Sequence, residues 1–244
     1  MSEPVSQHQA VSQPPEVPSP GLEEVPGGAE AWVRRQPPPL RGGPLTLLRF
    51  MRGNYMLNPK YLRMLLRLWR HKYLTTYGRR IETDGIAFIG RGVRIQIKKG
   101  STLKLGRWCW VGNGTKIRIH GGQVEIGAKT VVGEEVTFSA YEGINLGRES
   151  VIADRVMFID FDHCVMEVER PIRQQGIYHR PVRVGHNAWL GYGASILRGV
   201  TVGDNCIVGT YAVVTKDVPD NSVVGGIPAR VIRTREAPRW MRWE

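Results

Sequence analysis

Cysteine is scarce in this chain, acidic residues are outnumbered by basic ones, and long apolar runs are absent. Only three of its 244 residues are cysteine: Cys109, Cys164 and Cys206. Three cannot staple a disulfide scaffold, and they lack the paired spacing of a zinc site. No apolar run approaches the roughly eighteen residues that a membrane-spanning helix needs. The first residues are acidic and proline-rich with no apolar centre, which argues against a secretory signal and for a cytoplasmic protein. Between residues 41 and 80 there is no acidic residue at all.

What is present is unevenly distributed. Ten of the sixteen prolines fall within residues 1–44, where large apolar side chains are sparse. Such a segment buries too little surface to offset its ordering entropy, so residues 1–44 are expected to be a disordered tail. Residues 45–80 read as a basic amphipathic helical segment, and 236–244 as a second short tail. Lys and Arg total 34 against 22 Asp and Glu, and ten of the 34 lie within 41–80. Asn58-Pro59 suits a helix start, with Pro at the first helical position. Leu62, Leu65, Leu66, Trp69 and Tyr73 then recur at helical spacing, with Arg63, Arg67 and Arg70 on another face. That stripe is expected to pack on the main domain. Its other reading is a peripheral contact with the inner face of an anionic membrane. No zinc-finger, RNP-like or helix-turn-helix pattern accompanies the charge, so nucleic acid is not an expected partner.

From about residue 81 the period changes to six. Large apolar residues recur as Leu105, Val111, Ile117; as Ile126, Val132, Phe138; as Leu146, Ile152, Phe158; and as Val184, Leu190, Ile196, Val202, Val208, Val214. A strand repeats every two residues and a helix every 3.6, so neither explains six. Three such units close a triangular coil, and stacked coils share one continuous core. The large residue of each unit is expected to point inward. A small or β-branched residue four positions later, such as Thr115, Thr130, Ala188 or Ala212, fills the tighter inner space. Glycine often follows the large residue (Gly106, Gly112, Gly127, Gly185, Gly191, Gly209) and is expected to supply the backbone conformation of the corner. Between Phe158 and Val184 the step is twenty-six residues, which predicts a protruding loop over 159–181.

The pattern over residues 86–235 resembles the left-handed parallel β-helix acyltransferases of the hexapeptide-repeat family. The most specific stretches are Val184-Gly185-His186-Asn187-Ala188-Trp189-Leu190-Gly191, Val213-Val214-Thr215-Lys216-Asp217-Val218-Pro219 and Gly226-Ile227-Pro228-Ala229-Arg230-Val231-Ile232-Arg233. These resemble the sugar O-acetyltransferase branch, which includes the galactoside and maltose enzymes. The loop Ile159-Asp160-Phe161-Asp162-His163 is more similar to enzymes that acetylate cell-surface polysaccharides. The resemblance implies an all-β solenoid (residues 81–235), an acetyl-CoA cosubstrate, no metal, a sugar or glycan acceptor and a homotrimer with sites at subunit contacts. It also implies coenzyme A contacts at Trp189, Gly191, Tyr192, Gly209, Thr210, Thr215, Lys216, Arg230 and Arg233. Tyr192 and Tyr211 stand where the family more often has small residues. Gly133 and Tyr141 replace its polar acceptor-binding residues, so a galactoside acceptor does not follow.

An alcohol attacking a thioester needs a base that is half-ionised near neutral pH, and histidine suits that task. Of the six histidines, His163 alone sits where the loop leaves the prism, and it matches the family's catalytic histidine. Asp160 and Asp162 flank it, and either could orient the ring. Alternation along an extended segment puts Asp162 on the opposite side from His163, which favours Asp160. The Trp189–Gly193 corner offers backbone N–H groups for the oxyanion. Cys164 as a covalent nucleophile does not fit a family that transfers directly. The alternatives are a serine or amino-sugar acyltransferase and, in a different class, a non-catalytic β-helix scaffold. A zinc carbonic anhydrase on this fold needs two histidines with four residues between them, and no pair here has that spacing.

Overall fold

The computed structural model describes residues 59–235. The expected tails 1–44 and 236–244, and the first part of the basic segment (45–58), lie outside the described residues. Helix α1 spans Pro59–Tyr73. Beyond it the chain winds through six coils: 81–97, 102–119, 123–140, 143–159, 182–196 and 201–214. Each coil gives one strand to each of three parallel sheets.

The six-residue columns match the observed register. Leu105, Ile126, Leu146, Val184 and Val202 pair in succession along the first sheet. Val111, Val132, Ile152, Leu190 and Val208 do so along the second. Ile117, Phe138, Phe158, Ile196 and Val214 do so along the third. All of these side chains are buried. Each contributes about 1.5–3 kcal/mol of hydrophobic stabilisation against exposure. The Phe138 and Phe158 rings stack at 4.9 Å in the centre. One coil precedes those with clear columns: Thr83, Ile89 and Ile95 pair with Leu105, Val111 and Ile117. A polar threonine in the first place hid it from a hydrophobic pattern.

Two of the cysteines prove to be small inner residues. Cys109 and Cys206 follow Leu105 and Val202 by four positions and are fully buried. Burial pushes the Cys109 thiol up to about 12, so it is held as the inert thiol.

The glycines work differently from expectation. The left-handed residue falls three positions after the large one, not one. Trp108, Lys129, Glu135, Glu149, Arg155, Asn187, Asn205 and Tyr211 have φ between 52° and 63°. Glycine follows the large residue because coils approach too closely there for a side chain. At Gly191 a Cβ would lie 2.7 Å from the Thr210 backbone nitrogen of the next coil.

Further chain meets the second sheet at both ends of the prism. Arg230–Thr234 pairs antiparallel with Ser222–Gly225, ending the second sheet. At the other end Tyr61 of α1 packs edge-on against Phe88 and Trp110, with ring centroids 5.5 and 5.8 Å apart. The helix packs through Tyr61, the buried Met64 and Leu68, whereas Leu62, Leu66, Trp69 and Tyr73 face outward. The expected stripe exists, but it is not the packing face. The helix carries two apolar arcs, and the aromatic and methionine one fits the sheet edge.

Candidate active site

The predicted loop folds as a hairpin outside the prism. Phe161–His163 pairs antiparallel with Ile177–His179, in the register Phe161 to His179, Asp162 to Tyr178 and His163 to Ile177. Side chains alternate along a strand, so His163 and His179 share one face with Phe161. Asp162 shares the other with Tyr178. His163 is exposed, its ring edge-on to Phe161 at 6.3 Å.

Asp160 is fully buried beneath this hairpin. Its Oδ1 accepts the Tyr141 N–H at 2.8 Å, and its Oδ2 accepts those of Glu142 and Gly143 at 2.8 and 2.7 Å. Its carbonyl accepts the Arg180 N–H at 2.9 Å. The residue therefore ties both ends of the loop to the turn one coil below, and its carboxylate is committed to that turn. Asp162 pairs with Arg198, Nε to Oδ2 at 2.7 Å, and that guanidinium lies 4.2 Å over the Tyr178 ring. Hydrogen bonding to Asp162 raises the Arg198 pKa further. Neither carboxylate hydrogen-bonds His163. The expected Asp160 orienter is a structural anchor instead, because three convergent N–H groups hold a carboxylate better than one imidazole.

Among the described residues, the imidazole that does meet a carboxylate is His179, whose Nδ1 lies 3.0 Å from Glu142 Oε2. An aromatic series supports the hairpin from below. His120 stacks on Tyr141 at 4.8 Å, and Tyr141 meets Phe161 edge-on at 4.6 Å. Tyr141 and Phe161 stood in the sequence reading for other reasons, and their contact with each other and with His120 was not anticipated. The signal was there: 120, 141 and 161 recur at the spacing of one coil.

The ridge between the second and third sheets holds the other group. Trp189 lies outward on the second sheet and is half exposed, between Val151 and Ile207. Tyr192 meets Tyr211 edge-on at 5.4 Å. The Arg155 guanidinium, paired with Glu135 at 2.8 Å, stands 5.8 Å over Tyr192. The N–H groups of Trp189, Gly191, Gly193 and Ala194 all donate to backbone carbonyls within the prism. The expected oxyanion corner thus reduces, among the described residues, to the Tyr192 N–H, which makes no such bond. Gly209 donates to the Val224 carbonyl at 2.7 Å, and Thr210 is exposed beside it. Thr215 and Lys216 are exposed where the chain leaves the third sheet for the first. Arg230 and Arg233 are exposed on the terminal strand.

His163 and Tyr192 therefore spring from different ridges of one chain, with the third sheet between them. A concavity of about 600 Å³ on the first sheet is lined by Asn145, Arg183 and His186, but by no predicted site residue.

The bacterial transferase hexapeptide family (six repeats) matches residues 181–216. A probable acetyltransferase of Mycobacterium tuberculosis is 36% identical over 201 residues, covering 82% of this chain and 65% of that protein. The galactoside O-acetyltransferase of Escherichia coli is 34% identical over 115 residues, 47% of this chain and 55% of that protein. The chain thus spans 65% and 55% of the length of these two relatives. A mutant of AntD, an N-acyltransferase from Bacillus cereus solved with dTDP and coenzyme A, superimposes with a TM-score of 0.54 at 15% identity. It covers 64% of this chain and 83% of that one, a likeness of fold. The hexapeptide-repeat resemblance and the parallel β-solenoid read from the sequence both hold.

Proposed function

We propose that this hexapeptide-repeat protein is an acyl-CoA-dependent O-acyltransferase, moving acetyl from acetyl-CoA to a sugar hydroxyl of a polysaccharide, glycolipid or precursor. The observation that carries the reading is the hairpin. An otherwise regular prism leaves its period at length once, between coils four and five, and there it exposes His163 above a buried anchoring carboxylate. The named activities of the two relatives support acetyl transfer and, for the galactoside enzyme, a sugar acceptor.

Bound acetyl-CoA supplies an electrophilic thioester carbonyl and a thiolate leaving group. His163 accepts the acceptor hydroxyl's proton as its oxygen attacks, and returns that proton to the departing sulfur, so the proton count closes. The Tyr192 N–H, which makes no backbone hydrogen bond among the described residues, is a donor for the developing oxyanion. Lys216, Arg230 and Arg233 are exposed cations suited to the cofactor's phosphates. Gly191 lets the coil that carries Tyr192 sit close on the coil of Thr210.

Because His163 and Tyr192 lie on different ridges, the reading needs a second chain to bring its own Tyr192 ridge to this hairpin. The second sheet offers a contact surface: Val131, Val151 and Trp189 form an exposed apolar column. We therefore read the working unit as a homotrimer, in which one head-to-tail contact repeated about a three-fold axis brings each hairpin to a neighbour's ridge.

The test is turnover with labelled acetyl-CoA over a panel of cell-envelope glycans and nucleotide sugars. His163→Ala is expected to lower turnover by about 10²–10⁴-fold, while acetyl-CoA binding by calorimetry is retained. A second reading rests on the Glu142 contact, which makes His179 the oriented base. If His179→Ala abolishes turnover and His163→Ala does not, that reading replaces the first.

A further inference from the structure

The outward face of α1 is left uncovered by the fold. Leu62, Leu66, Trp69 and Tyr73, with Leu74 just beyond the helix, are each more than half exposed. They are spaced at one turn or two, so they form one stripe along the helix. The Trp69 and Tyr73 rings lie 6.1 Å apart on it. Arg63 and Arg70 are exposed along one flank, Arg67 is half-buried there, and the helix carries no acidic residue. The opposite face is fixed to the prism by Tyr61 and Met64. Lys72 donates to Thr83 Oγ1 at 2.9 Å, so the helix cannot roll to hide the stripe without losing these contacts.

We propose that α1 docks this protein on an anionic membrane surface. The occupant follows from charge and chemistry together. A stripe of leucine, tryptophan and tyrosine bordered by arginine suits the boundary between acyl chains and acidic headgroups. Tryptophan and tyrosine prefer that depth, where the ring is buried and its polar atom stays wet. Nucleic acid complements the arginines but offers nothing to the leucines. A second copy docked through the same stripe would set Arg63, Arg67 and Arg70 against their own equivalents, with no acidic residue in the helix to meet them. The helix is roughly 22 Å long, enough to lie along a bilayer and too short to cross it. It covers coils one and two, and the hairpin leaves after coil four. The catalytic hairpin therefore stands on the order of 10–15 Å further along the axis, at one strand spacing per coil.

The full-length chain is tested by co-sedimentation with phosphatidylcholine vesicles, with and without about one third phosphatidylglycerol. Binding is expected to the phosphatidylglycerol vesicles, at least tenfold weaker to phosphatidylcholine alone, and falling as salt rises. Arg63→Gln, Arg67→Gln and Arg70→Gln together should weaken binding on the order of 100-fold. Leu66→Ser with Trp69→Ser should weaken it at least tenfold, with an unchanged circular dichroism spectrum. The fluorescence lost in Trp69→Phe should be the part quenched by brominated acyl chains. Equal binding to both vesicles, or variants that bind as the parent does, would overturn the proposal. So would a stripe variant that alters subunit number by light scattering and leaves vesicle binding intact. These readouts do not depend on acyl transfer, so the docking surface and the catalytic reading can fail separately.

Discussion

The coils and the hairpin are made from the same chain by opposite means. In the coils each inward side chain stacks on its equivalent above and below, so burial is shared along continuous columns. In the hairpin most side chains point to solvent, and the excursion is tied to the prism by one buried carboxylate, the exposed Asp162–Arg198 and His179–Glu142 pairs and a few aromatic contacts. Periodic burial makes a scaffold, and departure from the period makes a place where polar groups can face a substrate.

The largest break in this comparison should come from the core. Phe158→Ala removes one ring of the stacked pair and should cost about 3–5 kcal/mol, measured by chemical denaturation. The loss should propagate to both neighbouring coils, because each coil is the floor of the next. Asp160→Asn should cost about 1.5–3 kcal/mol, since a charged acceptor of three N–H groups becomes a neutral amide. Its signature is local: faster hydrogen exchange in 160–180 with the coils still protected. If both regions loosen equally, the hairpin is part of the core and the contrast is wrong.

A smaller effect tests the ridges. Asn187 donates to Asn205 at 2.8 Å and Asn205 to Asn221 at 3.1 Å, all three in the left-handed region. Asn205→Ala should lose about 1–2 kcal/mol, chiefly the cost of placing alanine there. Asn205→Gly should recover part of it, as read by thermal denaturation.

The smallest effect concerns the helix end. Burial, reinforced by Arg70, holds the His71 pKa below its ordinary value, and its Nδ1 lies 3.0 Å from the Tyr77 hydroxyl. The unfolded chain therefore binds a proton more readily than the folded one. That contribution is complete above about pH 6.5 and is lost as the pH falls through the lower folded value. A small drop in melting temperature on acidification through this window, absent in His71→Asn, is the expected result. An identical pH profile in the variant would remove His71 as its source.

The hexapeptide period made the prism legible because inward positions must be apolar whatever the function. Thr83 obscured one coil because the pattern admits only apolar residues. The role of Asp160 was not legible, because flanking a histidine in sequence says nothing about where a carboxylate turns. The Glu142 and His179 contact spans 37 residues, across a turn and a hairpin. No local spacing carries that information.

What the sequence determined on its own is the architecture, the stacking columns and the point where the chain leaves them. Each follows from repeated burial, a property written residue by residue. What only the tertiary structure decided is direction. It decided which arc of α1 meets the sheet, which acid anchors the loop, why glycine follows the large residue and which imidazole meets a carboxylate. Those outcomes depend on how closely separate segments approach, and distance across a fold is not encoded in any one stretch of it.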